Sequence, residues 1–152
     1  MKIVACMTVA AALVIGTGAH AADQGTPDEA VAMTKKAVAA IRSEGAEKVY
    51  SAIIAKDARF VDRDLYVIVY DLTGKCLAHG ANPKLVGKDL IDNQDVDGTY
   101  YIKDRMELAK AKASFWQDYK FTNPTTKKIE PKSTYCEREG ATTVCVGVYK
   151  NQ

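Results

Sequence analysis

A lysine set inside an apolar strand is the residue of this chain best placed to do chemistry. Lys132 stands between Pro131 and Ser133 in the run Ile129 to Cys136. A carboxylate needs one fixed cation and a few hydrogen-bond donors in an otherwise apolar cavity, because buried charge is tolerated only when it is paired. Strand parity puts Lys132, Thr134 and Cys136 on one face. With Glu139 to Thr142 as a hairpin loop, Lys132 stands opposite Tyr149, Thr134 opposite Gly147 and Cys136 opposite Cys145. A lysine beside a tyrosine hydroxyl, with a glycine gap next to them, suits a small anion; a solvated edge lysine is the plainer alternative. The other face carries Ser133, Tyr135, Val144, Val146 and Val148, apolar enough to receive a helix.

Other residue types point more weakly. His79 closes a strand before the loop Gly80 to Pro83, where its ring can donate to an anion and titrate near pH ~6.5, or simply bond a loop carbonyl. Asn93, Asp95, Asp97, Gly98 and Asp104 fall at positions of a calcium-binding loop. Against that stand the asparagine in first place, an Asp104 too short for a bidentate role, and the commonness of Asp-x-Asp-Gly as a simple turn. There is no nucleophile elbow, glycine-rich phosphate loop or zinc cluster, and the two histidines are His20 and His79. The expectation is a binding protein, neither an enzyme nor the holder of a cofactor.

Several elements must position these residues. Thr26-Pro27-Asp28-Glu29 reads as a capped helix start, and Val31, Thr34, Val38, Ile41, Gly45, Val49 and Ile53 paint one stripe along a helix to about Lys56, bent or divided at Gly45. Leu65 to Tyr70, a Thr73-Gly74 turn and a strand ending at Ala78-His79 form a hairpin. The loop-rich stretch Gly80 to Asp97 leads to a helix from Thr99 to about Ala113, with Ile102, Met106 and Ala109 on one side. Strands at Phe115 to Phe121, Ile129 to Cys136 and Thr142 to Tyr149 follow. The order predicts an α+β antiparallel sheet.

Phe-Val-Asp-x-Asp-Leu-Tyr at 60–66, Asp-Leu-x-Gly at 71–74, Ala-His-x-x-Asn-Pro at 78–83, Leu-Val-Gly-Lys-Asp-Leu at 85–90, Trp-x-Asp-Tyr-Lys at 116–120, Glu-Pro-Lys-Ser-x-Tyr at 130–135 and Gly-Val-Tyr at 147–149 occur in order. Together they resemble the single Cache domain (type 2) family, PAS-like extracytoplasmic ligand-sensing domains. The resemblance implies a sheet of about five strands, a long N-terminal helix, and a loop-plus-helix insertion over one face. It also implies a short carboxylate ligand of the acetate, propionate, lactate or pyruvate kind. Lys132 would pair with that carboxylate, Tyr149 and Tyr119 would donate to it, and His79 would close the loop side.

The family's Lys-x-x-Tyr spacing adds Tyr135, which an unbroken strand points away from Lys132; a bulge would reconcile them, and otherwise Tyr135 is a core residue. Trp116 and Tyr119 lie on opposite sides of their strand, with Trp116 the readier core residue. Tyr66 shares a face with Ile68 and Tyr70 and either lines the pocket or packs. Phe115 stands where a small residue is usual, and could narrow the pocket.

At 152 residues, 47% apolar and 26% charged, the chain has the composition of one ordinary globular domain. Met1-Lys2, an apolar run from Ile3 to Ile15 and Ala19-His20-Ala21 have the layout of a secretory signal peptide, cleaved after Ala21 to leave a domain over 22–152; retention as an anchor is the alternative. The mature chain would keep 20 basic and 19 acidic residues, a net +1 that gives no electrostatic case for nucleic acid. Export predicts a periplasmic or secreted protein with no stable membrane insertion after cleavage. A membrane receptor or transporter is the candidate protein partner. Cys6 leaves with the leader, and an oxidising compartment favours a Cys136–Cys145 bridge with Cys76 free; two buried free thiols are the alternative.

Overall fold

A computed structural model describes residues 24–150. The expected leader, residues 1–21, lies outside the described residues. Helix α1 (Pro27–Glu44) starts with the expected box: Thr26 accepts from the Glu29 amide, and the Glu29 carboxylate accepts from the Thr26 amide. It stops at Gly45, whose φ of +92° is left-handed territory that favours glycine. Helix α2 (Ala46–Ile54) follows, so the long helix is divided where the sequence suggested.

Six antiparallel strands come next: β1 (Val61–Asp62), β2 (Leu65–Asp71), β3 (Cys76–His79), β4 (Ser114–Thr122), β5 (Ile129–Glu139) and β6 (Thr142–Tyr149). A short 3₁₀ turn (Pro83–Leu85) and helix α3 (Tyr101–Ala111) stand between β3 and β4. The sheet runs β1-β2-β6-β5-β4, with β3 also paired to β2. The expected α+β antiparallel fold is present, with the short β1 as an additional strand.

β2 is buried from Leu65 to Tyr70 because both of its faces are covered. Val67 and Val69, with Val144, Val146 and Val148, pack under α1 and α2 against Ala30, Val38, Val49 and Ile53. Tyr66, Ile68 and Tyr70 face the other way, under the cap formed by the loop and α3, with Leu90, Ile102 and Met106. The β5–β6 register is the one predicted: Lys132 pairs with Tyr149, Thr134 with Gly147 and Cys136 with Cys145.

Those two cysteines form a disulfide, and Cys76 is a buried free thiol pushed up to about 12 by burial. Reducing the bridge, or replacing both cysteines by alanine, is expected to cost roughly 2.5 kcal/mol by the loop-closure argument. That corresponds to a fall on the order of 10 °C in the thermal midpoint followed by circular dichroism. A fall of less than about 2 °C would mean the hairpin is already ordered in the unfolded chain.

Candidate functional site

On the cap side of the sheet, Lys132 is fully buried. Gly147 makes this possible: a Cβ there would collide with the lysine Cε and with Thr134 Oγ1. The ammonium donates to the Tyr66 hydroxyl at 2.7 Å and lies 3.4 Å from the Tyr149 hydroxyl. Tyr149 donates onward to the Thr122 carbonyl at 2.8 Å, so in the 3.0 Å contact between the two tyrosines Tyr66 is the donor. The ammonium also sits 4.0 Å from the centre of the Tyr66 ring and 4.7 Å from that of Tyr149. Burial lowers the Lys132 pKa to about 8, the like charge of Arg105 adding to the effect while Tyr119 and Asp64 oppose it.

Arg105, which the sequence reading passed over, is the second cation. It is buried on α3, and its Nε donates to Gln117 Oε1 at 2.9 Å while Gln117 Nε2 donates to the Tyr101 carbonyl at 2.7 Å. The guanidinium carbon lies 5.0 Å from the centre of the Tyr119 ring and 5.5 Å from that of Tyr70. Both Nη atoms are buried and have no partner among the described residues. The signal was in the sequence: Tyr101, Ile102, Arg105, Met106 and Ala109 form the buried stripe of α3, with the arginine in its middle.

Tyr119 stacks on Tyr101 with ring centres 4.7 Å apart and accepts from Thr134 Oγ1 at 3.3 Å, which leaves its own proton to donate. Burial pushes its pKa up, but the fields of Lys132 and Arg105 outweigh burial and bring it down to about 8. Burial holds Tyr66, Tyr70 and Tyr149 well above the ordinary phenol value.

His79 corrects one expectation. Its Nδ1 accepts from the amides of Ala81 and Asn82 at 3.2 and 3.0 Å, so the neutral ring carries its proton on Nε2, which is buried and without a partner among the described residues. Burial, then the charges of Lys132 and Arg105, lower its pKa to about 3. The ring stacks on Tyr66 at 5.1 Å as a fixed neutral donor and does not titrate near neutrality.

The structure brings Lys132, Tyr149, Tyr119, His79 and Tyr66 together, and leaves Tyr135 and Trp116 outside. β5 pairs without a register shift from Lys132 to Cys136 on both sides, so no bulge turns Tyr135 inward. Tyr135 lies on the α1 side, donates to Glu137 at 2.9 Å and contacts Trp116 across the strands, ring centres 5.3 Å apart. Trp116 is neither pocket nor core, being 42% exposed on an edge strand. Phe115 packs with Ala109 and the disulfide.

The Asn93 to Asp104 segment is built differently from a calcium loop. Asp95 Oδ1 accepts from the amides of Asp97 and Thr99, and its Oδ2 accepts from Lys120 N on β4, so both oxygens serve to tie the loop to the sheet. No group of three or more His, Cys, Asp or Glu side chains among the described residues is placed to hold a metal ion. Beside this loop a depression of about 240 Å³, lined by Asp95, Val96, Tyr101, Lys120 and Phe121, opens to solvent. Tyr101 and Phe121 belong both to it and to the aromatic wall of the buried cluster.

A sheet backed by helices on one face, with a loop-and-helix cap over a buried cluster of donors on the other, defines a sensor domain of the ligand-binding class. The model of the family "Single Cache domain 2" matches residues 7–149, and the chain belongs to that family. The match begins inside the segment read above as a leader. Among solved structures, the fold is similar to that of a methyl-accepting chemotaxis protein from Vibrio parahaemolyticus RIMD 2210633, with a TM-score of 0.70 and 23% identity over 80% of this chain and 86% of that one. It is similar to a periplasmic sensor domain of a chemotaxis protein, with a TM-score of 0.64 and 25% identity over 82% and 90%. It is also similar to a Cache chemosensory domain described for its carboxylic acid recognition, with a TM-score of 0.67 and 20% identity over 82% and 92%. No helix among the described residues is long and apolar enough to cross a membrane.

Proposed function

We propose that this domain senses a short organic carboxylate such as acetate, propionate, lactate or pyruvate, held between Arg105 and Lys132. One observation carries the reading: two fully buried cations stand together, and the two Nη groups of Arg105 and Nε2 of His79 lack partners among the described residues. Buried cations in excess of the buried counter-charge are costly, and a carboxylate supplies both the missing charge and the missing acceptors. The arginine fork takes the carboxylate oxygens side by side, and Lys132, Tyr119 and His79 complete the ring of donors. The solved Cache domain described for carboxylic acid recognition supports this choice of ligand class. Residues 1–21 would direct export to the periplasm or beyond, and a membrane receptor or transporter would read the loaded domain.

A carboxylate at saturating concentration is expected to raise the thermal midpoint by several degrees. Lys132→Ala abolishes that gain while the far-ultraviolet spectrum stays native. In the unchanged protein the affinity falls as pH rises through about 8, where Lys132 loses its proton. A mutant that still gains several degrees sinks the assignment. A protein that no short acid stabilises is instead an accessory subunit, to be sought bound to its receptor or transporter.

A further inference from the structure

The fully buried charged side chains among the described residues are Asp64, Arg105 and Lys132. Asp64 lies in the β1–β2 turn, two residues before Tyr66, whose hydroxyl takes the Lys132 ammonium. Its Oδ1 accepts from the Gly25 amide at 2.6 Å, and its Oδ2 is buried with no partner among the described residues. No hydrogen bond joins Asp64 to either cation, so it acts on the cluster through its field. Burial pushes the Asp64 carboxyl up; the Gly25 amide, then Arg63 and Lys132, favour its charged form, and Asp64 in turn favours the charged form of Lys132. Tyr149 feels the same negative charge, which helps to keep its hydroxyl protonated.

Two positive charges and one negative leave an excess of one in a region closed to water. From this we infer that Asp64 sets the charge of the pocket so that it accepts a monoanion and rejects a dianion of the same size. The inference rests on the carboxylate reading above and narrows it. A single carboxylate brings the cluster to neutrality, whereas a second one has no cation left to meet and faces the Asp64 charge within the same low-dielectric interior. Without Asp64 the two cations would be matched to a dianion.

Malonamate and malonate have the same shape and differ by one charge, and titration calorimetry on the intact domain at neutral pH compares them directly. The protein is expected to bind malonamate at least ~10-fold more tightly than malonate, one power of ten for each pK unit of discrimination. Asp64→Asn keeps an oxygen for the Gly25 amide and removes the charge, and is expected to shrink that ratio by ~10-fold or more. Equal binding of the two probes by the unchanged protein, or an unaltered ratio in the variant, overturns the inference. Should the variant not fold, the ratio in the unchanged protein decides. A protein that binds propionate but not malonamate overturns the inference alone; one that binds no short carboxylate at all overturns the proposed function with it.

Discussion

Replacing Arg105 by methionine is expected to make the ligand-free domain more stable and blind to its ligand. The guanidinium is buried with one of its three nitrogens bonded among the described residues, and an apolar side chain of similar length does not carry the desolvation penalty of several kcal/mol that a buried ion does. Part of that gain is offset, because Gln117 Oε1 loses its donor at a cost of about 1–3 kcal/mol. A thioether against the rings of Tyr70, Tyr101 and Tyr119 replaces some of the lost cation–π contact. The net expectation is a gain of ~1 kcal/mol in urea unfolding without ligand. Removal of one desolvated charge partner costs binding about 3–5 kcal/mol, so affinity for propionate should fall at least ~100-fold by calorimetry. A variant destabilised by several kcal/mol that still binds propionate would make Arg105 a structural residue and remove the main support for a carboxylate site.

The same residue shows where sequence reading stopped. The β5–β6 register, and with it the Lys132, Gly147 and Tyr149 face, was legible because a hairpin has a fixed parity and one turn sets every pair. The division of the first helix was legible because Gly45 breaks an otherwise regular stripe. Arg105 lies on the same kind of periodic stripe, but a charge in mid-stripe on a helix reads as the edge of a solvated face until the cap is seen to fold back over the sheet. That fold-back joins α3 to β4 through Gln117, a pairing of residues 12 apart with no sequence pattern of its own. Trp116 differs for the opposite reason: a tryptophan predicts burial, yet on the face of the edge strand β4 turned away from α3 it is left 42% exposed. Asp64 lay within a recognised motif, but its burial depends on the Gly25 backbone arriving from the N-terminal junction, where Gly25 packs so tightly on Leu65 that a side chain would collide with it.

Burial of His79, aided by the two cations that would receive an anion, also determines how the domain fails in acid. His79 is held neutral with a pKa of about 3, and in the unfolded chain its ring returns to about 6.5. A base whose folded pKa lies below its unfolded one contributes stability that is complete above pH ~6.5 and is lost as pH falls toward 3, because the unfolded state binds the proton first. Between pH 7 and pH 4 the loss from this one side chain is about 3 kcal/mol. Carboxylates such as Asp57, Asp71 and Asp118, held below their ordinary values, add their own loss at lower pH. Asp64, pushed upward by burial, works weakly in the opposite sense. The interval from pH 6.5 to about 4.5 therefore belongs chiefly to His79. His79→Asn keeps an oxygen where Nδ1 meets the amides of Ala81 and Asn82 and cannot titrate. It is expected to be less stable at pH 7 by about 1–3 kcal/mol, through the lost stacking on Tyr66, yet nearly flat in urea-unfolding free energy from pH 7 to pH 4.5. A variant that keeps the parent's slope over that interval would mean that the folded ring titrates at about its unfolded value. Its ring would then add a third positive charge to the pocket below pH ~6.5, and the charge balance assigned to Asp64 would hold only above it.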